Sequence, residues 1–78
     1  MKKKAVNARS KENRLVSVIV DIDTDGRDLQ PGDKYVAKRN HSISWVLLTC
    51  NSVNLEGGWV VPDGGYCFDL HECSKVVV

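Results

Sequence analysis

No apolar stretch in this sequence comes near the roughly 20 residues that a membrane-crossing helix needs. The run from Leu15 to Val20 is the nearest, and the basic start MKKK has no apolar segment behind it of the kind an export signal carries. Cysteine is scarce and odd in number. Cys50, Cys67 and Cys73 would leave one thiol unpaired in an oxidising compartment, so a reducing cytoplasm is the simpler reading. Glycine occurs only as punctuation: Gly57-Gly58 and Gly64-Gly65 open no helix after a strand in G-x-G-x-x-G or Walker spacing, which excludes the common phosphate-cradling loops. Length is short as well. A chain of 78 residues makes one domain at most and buries a small core, which leaves little interior for a substrate and points to a protein that is no enzyme and carries no cofactor.

Net charge is only +1, but it is split unevenly. Residues 1–14 hold Lys2, Lys3, Lys4, Arg9, Lys11 and Arg14 against Glu12 alone, and the remaining 64 residues carry an acidic excess. With Ala5, Val6 and Ala8 as its only apolar residues after the first, the segment 1–14 cannot by itself offset the entropy of ordering. The expectation is a flexible basic tail over 1–14 that can meet phosphate or another acidic surface, followed by one folded domain over 15–78.

From Leu15 onward the pattern is β. LVSVIVDI puts Val16, Val18, Val20 and Ile22 on one face at period two. A loop punctuated by Gly26, Pro31 and Gly32 leads to KYVAKR, RNHS turns the chain, and ISWVLLTC is apolar enough for a central strand. NSVNLEGG breaks that strand before WVVP, Asp63-Gly64-Gly65 reverses into YCFDL, and CSKVVV supplies a last short strand. This predicts an all-β fold of five to six short strands closed as a small barrel, which hides sheet edges.

LQPGDKYV over Leu29–Val36, the β segment before it, and the late Tyr66-Cys67-Phe68 ahead of a valine-rich end resemble small SH3-like barrel proteins of tailed phages and prophages. The likeness spans residues 15–78, and NSVNLEGGW departs from it by its length. It implies the fold and a phage context, with no residue role to carry over.

Three clusters carry candidate chemistry. Asp21, Asp23, Asp25 and Gly26 begin like a calcium loop, but Gly32 stands where the bidentate glutamate belongs and β-type valines precede the run. In extended chain the carboxylates are about 6.6 Å apart along the strand, so they must curl to share an ion, and the expected reading is a solvated acidic loop with no metal. Cys50, Cys67, His71 and Cys73 offer zinc-type donors in a spacing without close C-x-x-C pairs, with Cys67 and His71 about 13 Å apart if extended. Cys67, His71 and Asp69 could be drawn as a triad, but a real one needs a pocket and an oxyanion hole.

Lys34, Lys38, Arg39 and His41 flank Tyr35, the combination that a single-strand groove uses for phosphate contact and stacking. The acidic excess of the domain opposes it. The expected function is therefore docking on a host protein, as adaptor or inhibitor, by a monomer or weak homodimer. Its binding residues are Asp21, Asp23, Asp25, Asp28, Lys34, Tyr35, Lys38, Arg39 and Trp59, with the acidic loop imitating phosphate in a partner's basic groove. The alternative is nucleic-acid binding by the basic tail and the segment 34–41.

Overall fold

The computed structural model describes residues 2–39 and 44–77. They form seven strands: β1 Lys3–Arg9, β2 Leu15–Asp21, β3 Lys34–Ala37, β4 Trp45–Asn54, β5 Trp59–Pro62, β6 Phe68–Asp69 and β7 Cys73–Val76. The only helical pieces among the described residues are two 3₁₀ turns, Gly26–Asp28 and Leu70–Glu72. The all-β expectation holds. The sheet order is β1-β2-β7-β3-β4-β5-β6, with antiparallel neighbours throughout. The sheet curls until β1 meets β4 in parallel, at Ala8 opposite Trp45 and Arg9 opposite Val46. Among the described residues only those two pairs lace this seam.

The largest departure from the sequence reading is at the start of the chain. Residues 3–9 are not a flexible tail: β1 pairs with β2 through seven residues, from Lys3 opposite Asp21 to Arg9 opposite Leu15. Composition describes the segment alone, and the segment does not fold alone. Alternation turns Val6 and Ala8 inward, where both are buried, and the β2 ladder satisfies the backbone groups that a lone coil would leave to water. The boundary expected at residue 14 thus falls inside the β1–β2 hairpin. Its turn closes by Asn13 N–H to Ser10 C=O at 2.9 Å and Ser10 N–H to Arg14 C=O at 2.7 Å, with Asn13 in the left-handed region at φ 63°. Asparagine tolerates that conformation better than most residues.

β4 is the second departure. It does not stop at Cys50 but continues to Asn54, with a register shift between Cys50 and Ser52 against β5. Such a shift bends a strand, and here it lets β4 serve two ladders: with β3 and β1 on one stretch, with β5 on the other. The expected break at NSVN is really this bend plus the hairpin beyond it.

Alternation along β3 builds two cores, one on each face. Tyr35 and Ala37 join Leu29, Cys50, Val60, Phe68 and Cys73 under the layer made by β5, β6 and the 3₁₀ turns. Val36 points the other way, to Val6, Ala8 and Val20 inside the curl of the sheet, with Trp45, Leu47 and Val76 against them. Burying residues on both faces of a short strand explains why KYVA reads as a solid apolar segment rather than an alternating one.

Candidate functional site

The acidic stretch after β2 is a set of backbone caps. Asp21 is buried, and its Oδ1 accepts the Asp23 N–H at 3.0 Å. The Asp21 C=O accepts the Thr24 hydroxyl at 2.6 Å, and the Thr24 oxygen in turn accepts the Lys75 N–H at 3.0 Å, tying the turn to β7. Asp23 accepts the Lys2 N–H at 3.1 Å. Asp25 caps the first 3₁₀ turn through the Arg27 N–H at 2.8 Å, while Asp28 accepts the Asp25 N–H at 2.9 Å in a reciprocal box. The Arg27 side chain, bonded to the Asp25 carboxylate, holds that carboxyl below the usual range.

Each aspartate thus faces a different piece of backbone. Their oxygens do not gather around one point: among the described residues the only group of three with ligand atoms within 4.8 Å of one another is Asp69, His71 and Glu72, on the surface. Within that group Glu72 already accepts the Asp69 N–H at 3.0 Å. Gly26 also has a different task from a calcium-loop glycine. It is buried where a Cβ would lie 2.7 Å from both Leu70 Cδ2 and Val60 Cγ2, so it lets the first 3₁₀ turn press onto β5 and the second turn.

The cysteines do not assemble either. Cys50 and Cys73 are buried and Cys67 is exposed. Burial pushes the Cys73 thiol up to about 12 and raises Cys50 as well, so both are small core residues at neutral pH. The Cys73 thiol donates to the Asp69 C=O at 3.5 Å. His71 belongs to the Asp69–Glu72 group, which includes no thiol.

Of the basic and aromatic residues expected to bind, Tyr35 must be withdrawn. It is 0% exposed and cannot stack on a ligand. Its hydroxyl has no hydrogen-bond partner among the described residues, and burial pushes its ionisation well above the ordinary range. The period-two pattern around KYVA could not show this, because both faces of β3 are covered. Lys38 and Arg39 lie on aromatic rings, Lys38 Nζ 5.5 Å from the Trp45 centroid and Arg39 Cζ 5.2 Å from that of Phe68. Their charges therefore shield core aromatics. His41 lies outside the described residues. Trp59 is 39% exposed, and its ring fills the place a Cβ on Gly57 would take. Lys34 is exposed at the start of β3.

Two surfaces were missed by sequence reasoning. The first is a cleft beside the β1–β2 turn. One part, about 200 Å³, is lined by Ser10, Lys11, Glu12, Lys34, Leu47, Thr49 and Asp63. A more open part of about 510 Å³ continues past Arg9, Asn13, Val46 and Leu48 to Gly64 and Gly65. It exists because β4 pairs with β1 only at Trp45 and Val46 and with β5 only from Cys50. The turn and the 63–65 loop rise over the gap, bridged by Lys11 Nζ donating to the Asp63 C=O at 3.5 Å. Tyr66, 78% exposed, follows this loop.

The second is the far end of β4. Leu55 is 65% exposed at the tip of the β4–β5 hairpin, and a shallow groove of about 350 Å³ runs from it past Val53 to Pro31, Gln30 and Arg27. The length of NSVNLEGGW was the only sign of it in the sequence. Comparison of the chain with protein families, with curated proteins and with solved structures finds no match. No helix among the described residues is long and apolar enough to cross a membrane.

Proposed function

We propose that this chain is a small non-enzymatic binding protein of phage or prophage type that docks on a host protein, as an adaptor or inhibitor. The observation that carries this reading is the shared groove between the acidic loop and the hairpin tip: residues Arg27–Pro31 form one wall and Val53 and Leu55 the other. Exposed Leu55 and Trp59 supply apolar contact of the kind that dominates protein interfaces. Asp28, fixed by the capping box between Arg27 and Leu29 of that wall, adds negative charge next to it. A partner that fits presents an apolar patch rimmed by lysine or arginine, as nucleic-acid-binding proteins do.

Affinity capture from bacterial lysate, with the retained protein identified and its affinity measured in purified form, tests the reading. Leu55→Ser and Trp59→Ala should each weaken the complex by about thirtyfold or more, since hot-spot truncations cost about 2 kcal/mol or more. A captured protein whose affinity ignores both substitutions and Asp28→Asn would remove this surface from the account.

A further inference from the structure

We infer that the cleft beside the β1–β2 turn is a site for a single strand of nucleic acid, with phosphates on Arg9, Lys11 and Lys34 and a base stacked on Tyr66. The inference concerns a different face from the protein-docking surface and does not depend on it.

Ion pairing is the first argument. At the acidic end of the molecule Arg27 and Lys75 face carboxylates, Asp25 at 2.7 Å and Asp33 at 3.5 Å. In the cleft, Arg9 and Lys11 donate, among the described residues, only to carbonyl oxygens, those of Asn13 and Asp63. Lys34 has no carboxylate partner among the described residues. Glu12 and Asp63 border the cleft, yet neither neutralises one of these cations by contact. Arg9, Lys11 and Lys34 against the lining Glu12 and Asp63 leave an excess of one positive charge over an apolar floor of Leu47 and Leu48.

Distance is the second. The acidic excess of the domain speaks against a polyanion only if it acts at the site. The β1–β2 hairpin has its turn at Arg9 opposite Leu15 and its other end at Lys3 opposite Asp21. Six residue steps at about 3.3 Å separate these ends by about 20 Å, more than twice the screening length of about 8 Å at physiological salt. Arg9 and Lys11 at the turn are thus largely screened from the Asp21 carboxylate, whereas Lys34, next to Tyr35 and so about two strand spacings from Asp21 across Lys75, lies nearer to it.

Shape selects the strand. The cleft lies between the β1–β2 turn and the 63–65 loop, where a Cβ on Gly64 would come within 3.7 Å of Lys11 Nζ and one on Gly65 within 3.8 Å of Leu48 Cδ2, and exposed Tyr66 follows that loop. An unpaired base can stack on such a ring, whereas the bases of a duplex are already stacked on one another. An acidic peptide would use the cations but leave the tyrosine idle.

The test is fluorescence anisotropy of a labelled twelve-nucleotide oligothymidine with the intact chain. Binding is expected to weaken by roughly twentyfold between 50 and 200 mM salt, as about 0.7 counterions are released per phosphate at three cations. Lys11→Gln with Lys34→Gln should weaken it about tenfold at 50 mM and flatten the salt slope by about 1.4. Removing the same charge elsewhere, by Lys2→Gln with Lys4→Gln, should change it less than twofold. Tyr66→Ala should weaken it severalfold and Tyr66→Phe restore it. Leu55→Ser should leave it intact, which separates this site from the protein-docking face. Thermal melts confirm folding, and if the lysine pair fails to fold, the tyrosine pair decides. Absence of binding at 50 mM salt overturns the inference. So does equal loss from the two lysine pairs, or a polyglutamate peptide that competes fully while Tyr66→Ala has no effect.

Discussion

Arg27 Nη2 and Asp25 Oδ2 lie 2.7 Å apart, and the same carboxylate accepts the Arg27 backbone N–H at 2.8 Å. The pair sits at the surface, so the ion pair itself adds little. The cap adds more: Asp25→Ala is expected to cost about 0.5–2 kcal/mol in urea unfolding, and Asp25→Asn much less, because asparagine keeps the accepting oxygen. The Asp25 carboxyl is held low in the folded chain. Its contribution is therefore complete above the ordinary aspartate range and is lost as pH falls below about 4. Asp25→Asn should remove that part of the acid dependence; an unchanged acid limb would show that the carboxylate is not the group responsible.

Millimolar calcium is expected to leave the melting temperature within about a degree, since an ion with no gathered ligands cannot favour the folded state by mass action. Replacing Asp21, Asp23 and Asp25 with asparagine should preserve folding. Replacement with alanine should lower stability, because the oxygens that receive the backbone N–H groups disappear. A calcium-dependent rise in melting temperature that the asparagine variant lacks would restore the ion-binding reading.

Tyr35→Phe removes a buried hydroxyl that has no partner among the described residues. The expected result is unchanged stability or a gain of up to about 1 kcal/mol, since an unsatisfied buried group carries a desolvation cost with no return. A loss above about 1 kcal/mol would mean that the hydroxyl is satisfied in solution.

At high pH the order reverses from the acid limb. The Cys73 and Tyr35 ionisations are both raised by burial, Cys73 to about 12. The unfolded chain releases these protons first, so stability is full below about 8.5 and declines as pH rises above it. Thiol labelling at pH 8 should accordingly modify exposed Cys67 rapidly and Cys50 and Cys73 only on unfolding. Equal rates at all three would contradict the packed core.

Gly26→Ala is expected to cost about 1–3 kcal/mol, because the new methyl meets the Leu70 backbone at 2.9 Å as well as two side chains. Trp59→Ala, at a residue 39% exposed, should cost less than the about 3–5 kcal/mol of a buried ring. Chemical denaturation of the two variants compares them directly.

Much of the fold was legible because period-two patterning is a local property: Val16, Val18 and Val20 alternate, and β2 and β3 begin where their apolar runs begin. β1 was not, since Val6 and Ala8 become core only when β2 lies beside them. The bend in β4 leaves no mark because a register shift depends on the partner strand. The site suffered more. The aspartates were visible as a cluster, but their assignment to separate N–H groups is set by turn geometry. The cleft joins Arg9, Lys34, Leu48 and Gly64, which are far apart in the chain and share no motif.

The place of β7 has a consequence for the order in which the molecule can be made. Cys73–Val76 lies between β2 and β3, two strands synthesised long before it. Until those four residues emerge from the ribosome, β2 and β3 each present an open edge to a slot of one strand's width, the arrangement most exposed to pairing with a neighbouring chain. The nascent protein thus waits on one of its shortest strands, and a peptide carrying that sequence has a ready-made seat in any chain cut short before Cys73.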